Sequence, residues 1–523
     1  MTRFLKRLTG VLKRLTPFLK TLYHQRVLLI KKKHSILAHL KKKVYLCSLN
    51  LNNTIRTMNN IDSLGYNPKS AQSIWEYSAG LLGHTLRDFI GMEEYKVNTG
   101  KGALGQMVEE IYFQIENNSR AEADFHSAGV ELKCTPLKKG AKEQLLIKER
   151  LVCNMIDYMA VVNEDFEQSH FYTKCQLMLL LFYLYVKDTD NLDLEFLLSI
   201  LWRFPAKDLA IIRHDYETIV GKIKAGKAHE LSEGDTLYLG ACRKGQKGDA
   251  LRKQPYSIEK AVGRAFSLKP AYMRTILEWA LKSGKNHLNT LQPELSSLVS
   301  AEDLQTHSFE DIVLSRFAPY IGMDYNTIAK KLKIDISNAP KNMFATIASA
   351  IACQGRAFNV NKTEEFLKAG MMMKAIRVQA NGNIKEAMAF ENIDYQEVYD
   401  NDEWIESRLY EIFSSRFLFV IFKEQNKGQG DYLLEKIFFW TMPQADLNIA
   451  EEYWEHIRHN VLEDHVDHEY FWKESTNMNF HVRPKGAKSS DRTANPLGEG
   501  YAPCKKFCYW FNNKYITEIV NNN

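Results

Sequence analysis

The sequence predicts an α/β protein made of two tandem domains, each a mixed sheet flanked by helices. Three observations lead there. A chain of 523 residues exceeds what one ordinary core organises, and at about 100–200 residues per domain it implies two or three. From about Ser70 the chain takes on the mixed character of α/β proteins, after a basic segment of different composition. Beyond that point short motifs recur at a spacing near 240 residues, the mark of a duplicated unit.

The basic segment comes first. Residues 1–60 carry 14 Lys or Arg and no Asp or Glu, so the formal net charge of +6 conceals a remainder with 55 basic and 63 acidic residues. Phe4, Leu8, Val11, Leu12, Leu15, Leu19 and Leu22 repeat at helical spacing with cations between, interrupted by Pro17. Such a basic amphipathic helix suits a membrane surface or nucleic acid. It lacks the unbroken apolar core and small-residue cleavage site of a secretory signal. A start at Met58, with the preceding residues an overextended reading frame, is the alternative. No apolar run reaches the ~18 residues of a membrane span. Eight cysteines without a CxxC pair fit free thiols in a reducing cytoplasm. Cys504, Cys508 and His481 lack a fourth ligand at zinc spacing.

The chemistry-bearing elements follow. Leu104, Met107, Val108, Ile111 and Tyr112 repeat with a helical period, so Glu109 can reach a neighbouring strand from a packed helix. Val130 to Cys134 reads as a short buried strand. Alternation then puts Glu131 and Lys133 on one side and Val130, Leu132 and Cys134 toward the core. With Asp124 ahead of the strand, two hard oxygen donors and an ammonium converge, the set that metal-assisted phosphodiester hydrolysis needs. A strand bearing a solvated Glu and Lys would show the same spacing, so the rest of the chain has to decide. Further on, Arg243 to Gln254 is basic and contains glycine. Its backbone and long cations can follow phosphates, with Arg suited to guanine and Gln to adenine.

The repeat makes the motif readable. Lys101 to Glu109 lies over Lys341 to Ser349 at an offset of 240, and Ala128-Gly129 over Ala369-Gly370 at 241. Gly83-His84-Thr85-Leu86 finds a looser echo in Tyr325-Asn326-Thr327-Ile328 at 242, and Arg243-Lys244 lies near Arg483-Pro484-Lys485 at about 240. In this alignment the second copy replaces Glu109 by Ser349, Asp124 by Glu365 and Glu131 by Met372, and keeps a lysine, Lys374, for Lys133. A methionine is no ligand for a hard cation, so the first copy reads as catalytic and the second as degenerate.

At these residues the chain resembles the MutH-like family, which comprises the mismatch-repair nicking endonuclease and related type II restriction endonucleases that cut at GATC. The likeness runs from about Ser70 to the C-terminus. It rests on Lys101-Gly-x-x-Gly-x-x-x-Glu109, on Asp124 to Lys133, and on Lys148-Glu149-Arg150-Leu151-Val152. It continues through Gly226 to Gly234 and Arg264 to Lys269. The two-domain length is similar to that of the restriction enzymes.

The resemblance implies two tandem restriction-endonuclease-like domains, with residues 1–65 a basic extension, 66–300 catalytic, and 301–523 a DNA-binding regulatory domain. It implies Asp124 and Glu131 as metal ligands for Mg2+, Lys133 as the catalytic lysine and Glu109 as a completing carboxylate. It assigns DNA contact to Lys101, Arg243, Lys244, Gln246, Lys247, Lys269, Arg483 and Lys485. At Ser267 the family's tyrosine is absent, so methylation sensing is not carried over. The expected activity is cleavage of duplex DNA at GATC in the cytoplasm. The second domain would hold a second site as effector, a free monomer would dimerise on DNA, and a cognate DNA methyltransferase would belong to the same system. A strand-nicking repair endonuclease and a non-cutting DNA-binding regulator are the alternatives.

Overall fold

The computed structural model describes residues 64–90, 102–115, 122–140, 143–244, 250–283, 296–337, 342–356 and 358–523. The chain divides into two compact units, Met1–Asn67 and Pro68–Asn523. Of the first, only residues 64–67 are described, so the amphipathic pattern of Phe4 to Leu22 lies outside the described residues. No helix among the described residues is long and apolar enough to cross a membrane.

The second unit holds both copies of the repeat. Its first half opens with α1 (Ala71–Ser78), whose N-terminus is capped by the Ser70 hydroxyl accepting from the Ser73 N–H. Next come α2 (Ala103–Met107), which widens into a π-helical stretch over Val108–Phe113, and the strands β1 (Glu131–Lys139), β2 (Leu145–Ile147) and β3 (Leu151–Met155). Two short helices, α3 (Tyr158–Val161) and α4 (His170–Cys175), lead to β4 (Leu177–Leu184) and β5 (Phe196–Arg203). The half closes with α5 (Ala206–Lys224), β6 (Leu239–Arg243), β7 (Arg264–Leu268) and α6 (Pro270–Ser283).

Two sheets result. One has the order β2-β1-β4-β5, with β1 and β4 parallel and the other pairs antiparallel; the second, β3-β7-β6, is antiparallel throughout. β4 is an almost continuous apolar run because it is a central strand covered on both faces. α5 lays Ile211, Ile212, Ile219, Val220 and Ile223 into the core and buries Asp215 among them. That carboxylate accepts from the N–H groups of Leu237 and Tyr238 at 2.7 Å and Leu239 at 2.9 Å, tying the helix to the start of β6. Burial pushes Asp215 up to about 6 even against those three hydrogen bonds.

The second half repeats the plan. It runs α7 (Phe309–Phe317), α8 (Tyr325–Lys331), α9 (Met343–Ala352), α10 (Glu364–Ala369), β8 (Met372–Val378), β9 (Met388–Asn392), α11 (Tyr395–Asp400), α12 (Arg408–Phe413), β10 (Arg416–Glu424) and β11 (Tyr432–Thr441). Then follow α13 (Gln444–Leu462), β12 (Phe480–Pro484), the small ladder of β13 (Arg492–Thr493) and β14 (Cys504–Lys505), β15 (Phe507–Phe511) and α14 (Asn513–Asn522). The sheet order β8-β10-β11 reproduces β1-β4-β5 with the same parallel and antiparallel pairs, and β9-β15-β12 reproduces β3-β7-β6. α5 and α13 are both 19 residues long and each follows a proline, Pro205 or Pro443. The register near Gly83 differs from the expected one. Gly83 and Gly322 are the matching residues, since both have φ near +80° and donate to Phe196 O and Leu434 O at 2.8 Å. The echo at Tyr325 is displaced from it by three positions.

The halves share a core. One apolar cluster extends from Leu137 through α6 and α9 to Leu434, and a second is confined to the C-terminal half. Across the shared boundary α10 inserts polar groups. Lys368 contacts Asp208 of α5 at 2.7 Å and Glu364 at 2.6 Å, and the Tyr272 hydroxyl of α6 donates to Asp208 at 2.8 Å. Glu365 accepts from Ser297 Oγ at 2.7 Å and Leu298 N at 3.0 Å, with Lys207 at 3.3 Å.

Candidate active site

The site is assembled where α2 crosses the head of β1. Glu131 and Lys133 are two residues apart on one strand, and Lys133 Nζ meets Glu131 Oε1 at 2.6 Å, so the expected alternation holds. Lys133 also donates to Cys153 O of β3 at 3.2 Å, which fixes its ammonium between the two sheets. Glu131 is almost wholly buried, at 1 % exposure, and its Oε2 has no hydrogen-bond partner. Burial raises the Glu131 carboxyl; Lys133 and a second lysine, Lys174, pull it back. Burial by itself would lower Lys133, but Glu131 holds its ammonium above the ordinary lysine range.

Asp124 precedes the strand by seven residues and is placed by its own backbone contact. Its Oδ2 accepts from Leu132 N at 2.8 Å, which hangs the carboxylate beside Glu131. The turn between them, His126 to Ala128, ends at Gly129 with φ +63°, the left-handed conformation that favours glycine. Glu109 comes from the π-helical stretch. Phe113 and Phe125 pack edge to face, with ring centroids 5.0 Å apart, and the Tyr112 hydroxyl donates to Tyr77 O at 2.7 Å. These contacts hold the widened turn against the Asp124 loop, and such turns are common at functional sites. Glu109 is pushed up to about 7 by burial, and further by Asp124 and Glu131 nearby.

The donors suit a hard divalent cation. A buried carboxylate oxygen without a partner, beside a second carboxylate, is costly unless a cation or proton satisfies it. Among the described residues no ready-made group of three His, Cys, Asp or Glu gathers around one point. Magnesium characteristically uses one or two carboxylates and completes its shell with water and substrate phosphate.

Lys174 was not anticipated. It sits in the last turn of α4, and its Nζ is 3.3 Å from Glu131 Oε1. The available signal was its place just before β4, the parallel partner of β1, in which Met178 pairs with Glu131.

The expected DNA contacts fall into three groups. Arg243 and Lys244 are exposed at the end of β6, while Lys101, Gln246 and Lys247 lie outside the described residues. Arg483 stands 5.2 Å from the Trp510 ring and pairs with Glu474; Lys485 is exposed beside it and donates to Phe390 O at 3.1 Å. Lys269 is different. It is buried and donates to Glu233 O at 2.6 Å and Thr236 O at 2.5 Å, so the structure gives its ammonium a place in the interior and not on a DNA-facing surface.

The second half shows what has been lost. Met372 stands at the position of Glu131, and Lys374 at that of Lys133, since Phe417 and Phe419 of β10 pair with them as Met178 and Leu180 of β4 pair with the originals. Ser349 stands for Glu109, its hydroxyl bonded to Phe358 O at 2.9 Å. The expected match of Asp124 with Glu365 is corrected. Met373 N donates to Asn361 Oδ1 at 2.7 Å, the bond Leu132 N makes to Asp124, so Asn361 is the counterpart. Glu365 belongs to α10, which stands where the first half has only its short turn, and points into the boundary between halves.

Comparison with known proteins identifies relatives of the chain. A family model described as "DNA mismatch repair enzyme MutH" matches residues 113–215, which include Asp124, Glu131, Lys133 and Lys174. The type II restriction enzyme Sau3AI of Staphylococcus aureus is 31% identical over 497 residues, spanning 86% of this chain and 98% of that protein. The DNA mismatch repair protein MutH of Shewanella amazonensis is 30% identical over 186 residues, 34% of this chain and 80% of its own length. That of Shewanella woodyi is 26% identical over 227 residues, 41% of this chain and 94% of its own length.

Proposed function

The chain belongs to the family of the type II restriction enzyme Sau3AI and is a site-specific deoxyribonuclease, and on that footing we propose that it cuts duplex DNA at 5′-GATC-3′ by a magnesium-dependent reaction. What supports the mechanism above all is Glu131: a buried carboxylate with one oxygen on Lys133 and the other without a partner. Asp124 and Glu131 would hold the cation. When bound, magnesium supplies Lewis-acid polarisation of the scissile phosphate. Lys133, held between Glu131 and Cys153 O, positions the attacking water and neutralises developing charge on the phosphate. Glu109, which titrates near neutrality, is placed to accept a proton from that water.

Residues 66–300 are the cutting half in this reading, and 301–523 bind a second site as effector. Arg243 and Lys244 contact DNA in the first half, and Arg483 and Lys485 in the second. Lys101, Gln246 and Lys247 are assigned the same role through the family. Because only one half has the carboxylates, cutting both strands together calls for two chains, so dimerisation on DNA follows. A methyltransferase that protects host sites completes the system.

The deciding experiment incubates the chain and its Glu131→Ala variant with plasmids containing or lacking GATC, in magnesium or in chelator. Linearisation is expected only for the unmodified chain with GATC and magnesium. Cleavage by the variant, or of the plasmid without GATC, would overturn the proposal. Nicked circles persisting at excess enzyme would instead identify a strand-nicking enzyme.

A further inference from the structure

Among the described residues, the second half leaves its lysine without a carboxylate in direct contact, Glu391 acting on it only at longer range. Lys374 is half-buried, and its Nζ donates to Ala389 O at 3.0 Å and lies 4.8 Å from the Phe390 ring. Lys485 Nζ is anchored one residue further along the same strand, on Phe390 O at 3.1 Å. Among the described residues neither ammonium has a carboxylate partner. Glu391, on that strand, is engaged by Arg408 at 2.6 Å and 3.0 Å. Burial, followed by the charge of Lys485, depresses Lys374 to about 8, the opposite of the direction at Lys133. Two cations close enough to repel, each with N–H donors left over, are relieved by an anion between them. Trp510 flanks the pair, its ring 5.9 Å from Lys485 Nζ and 5.2 Å from Arg483.

We propose that the second half has exchanged a cation site for an anion site: Lys374 and Lys485 grip one DNA phosphodiester directly, at the position equivalent to the scissile phosphate, without any metal. This rests on the reading that residues 301–523 bind DNA and specifies how. Met372 and Asn361 then matter as much as the lysines, because each removes a negative charge that would repel the phosphate. One half needs a metal to bring phosphate against two carboxylates; the other has dispensed with both.

The test uses the full chain silenced by Glu131→Ala, in chelator, with short GATC duplexes, reading stoichiometry by sedimentation and affinity by titration over a range of salt. Two duplexes per chain are expected. Lys374→Met should weaken the second by about tenfold or more and reduce the salt slope by about one, while Lys374→Arg should retain most of the affinity. A duplex carrying an uncharged methylphosphonate at the scissile position should show the same loss with Lys374 present, and no further loss with Lys374→Met. That arm requires no folded variant. Two duplexes bound by Lys374→Met with undiminished affinity and slope would overturn the phosphate site and leave the DNA-binding reading standing. A single duplex bound by the silenced chain, with an affinity that neither Lys374→Met nor Lys485→Ala changes, would overturn both.

Discussion

Glu109 titrates near pH 7 because it is buried beside Asp124 and Glu131, and this gives the reaction a measurable signature. Its carboxyl is raised, so the protonated form persists to neutrality and the basic form appears only as pH rises through about 7. At magnesium too low to saturate the site, the cleavage rate should fall about tenfold for each pH unit below that point. Glu109→Gln should be slow and lack that limb; initial rates between pH 5.5 and 8.5 for both chains would check it. Glu131 and Lys133 were legible in the sequence because a strand's two-residue alternation alone sets them side by side. Lys174 was not, because it comes from a helix whose placement depends on the pairing of β1 with β4. Nor was Asn361, since the loop before Met372 is longer than the loop before Glu131 and a constant offset slides past it onto Glu365.

At the scale of elements, the exposed end of β6 depends on a helix. Asp215 reaches from α5 to three consecutive N–H groups at the start of that strand, so β6 is held at one end and presents Arg243 and Lys244 at the other. An amide offers one acceptor oxygen where the carboxylate offers two. Asp215→Asn should therefore leave at least one buried N–H unpaired and cost about 1–3 kcal/mol, read by urea unfolding, with weaker DNA binding as a second readout. The helix before β1 was readable from its apolar period. The π-helical widening of α2 was not, because it is the packing of Phe113 on Phe125 and the anchoring of Tyr112, both tertiary contacts, that hold it.

At the scale of the whole molecule, the two halves are joined by buried charge as well as by apolar surface. Glu411 of α12 meets Arg274 of α6 at 2.9 Å and Arg408 at 2.6 Å. Burial would raise its carboxyl, yet the two guanidinium groups hold it down to about 2. A depressed carboxyl stabilises the fold above its unfolded range, near 4.5, and loses that contribution as pH falls toward 2. Glu411→Gln should thus lower stability by about 3 kcal/mol at pH 7, with the difference from the unmodified chain shrinking below about pH 4.5, as urea midpoints at several pH values would show. The duplication itself was visible as a repeated offset, but a sequence has no way to say that the copies share one core. α10 gives that sharing a historical meaning. To re-arm the second half, descent would have to restore carboxylates at Met372, Asn361 and Ser349 and also shorten the helix, which would strip Asp208 and Lys207 of their buried partners. No single step along that path gains a nuclease, and one of them weakens the joint. On the proposed reading, the division of labour between the copies has become a ratchet, closed by a helix that the first half lacks.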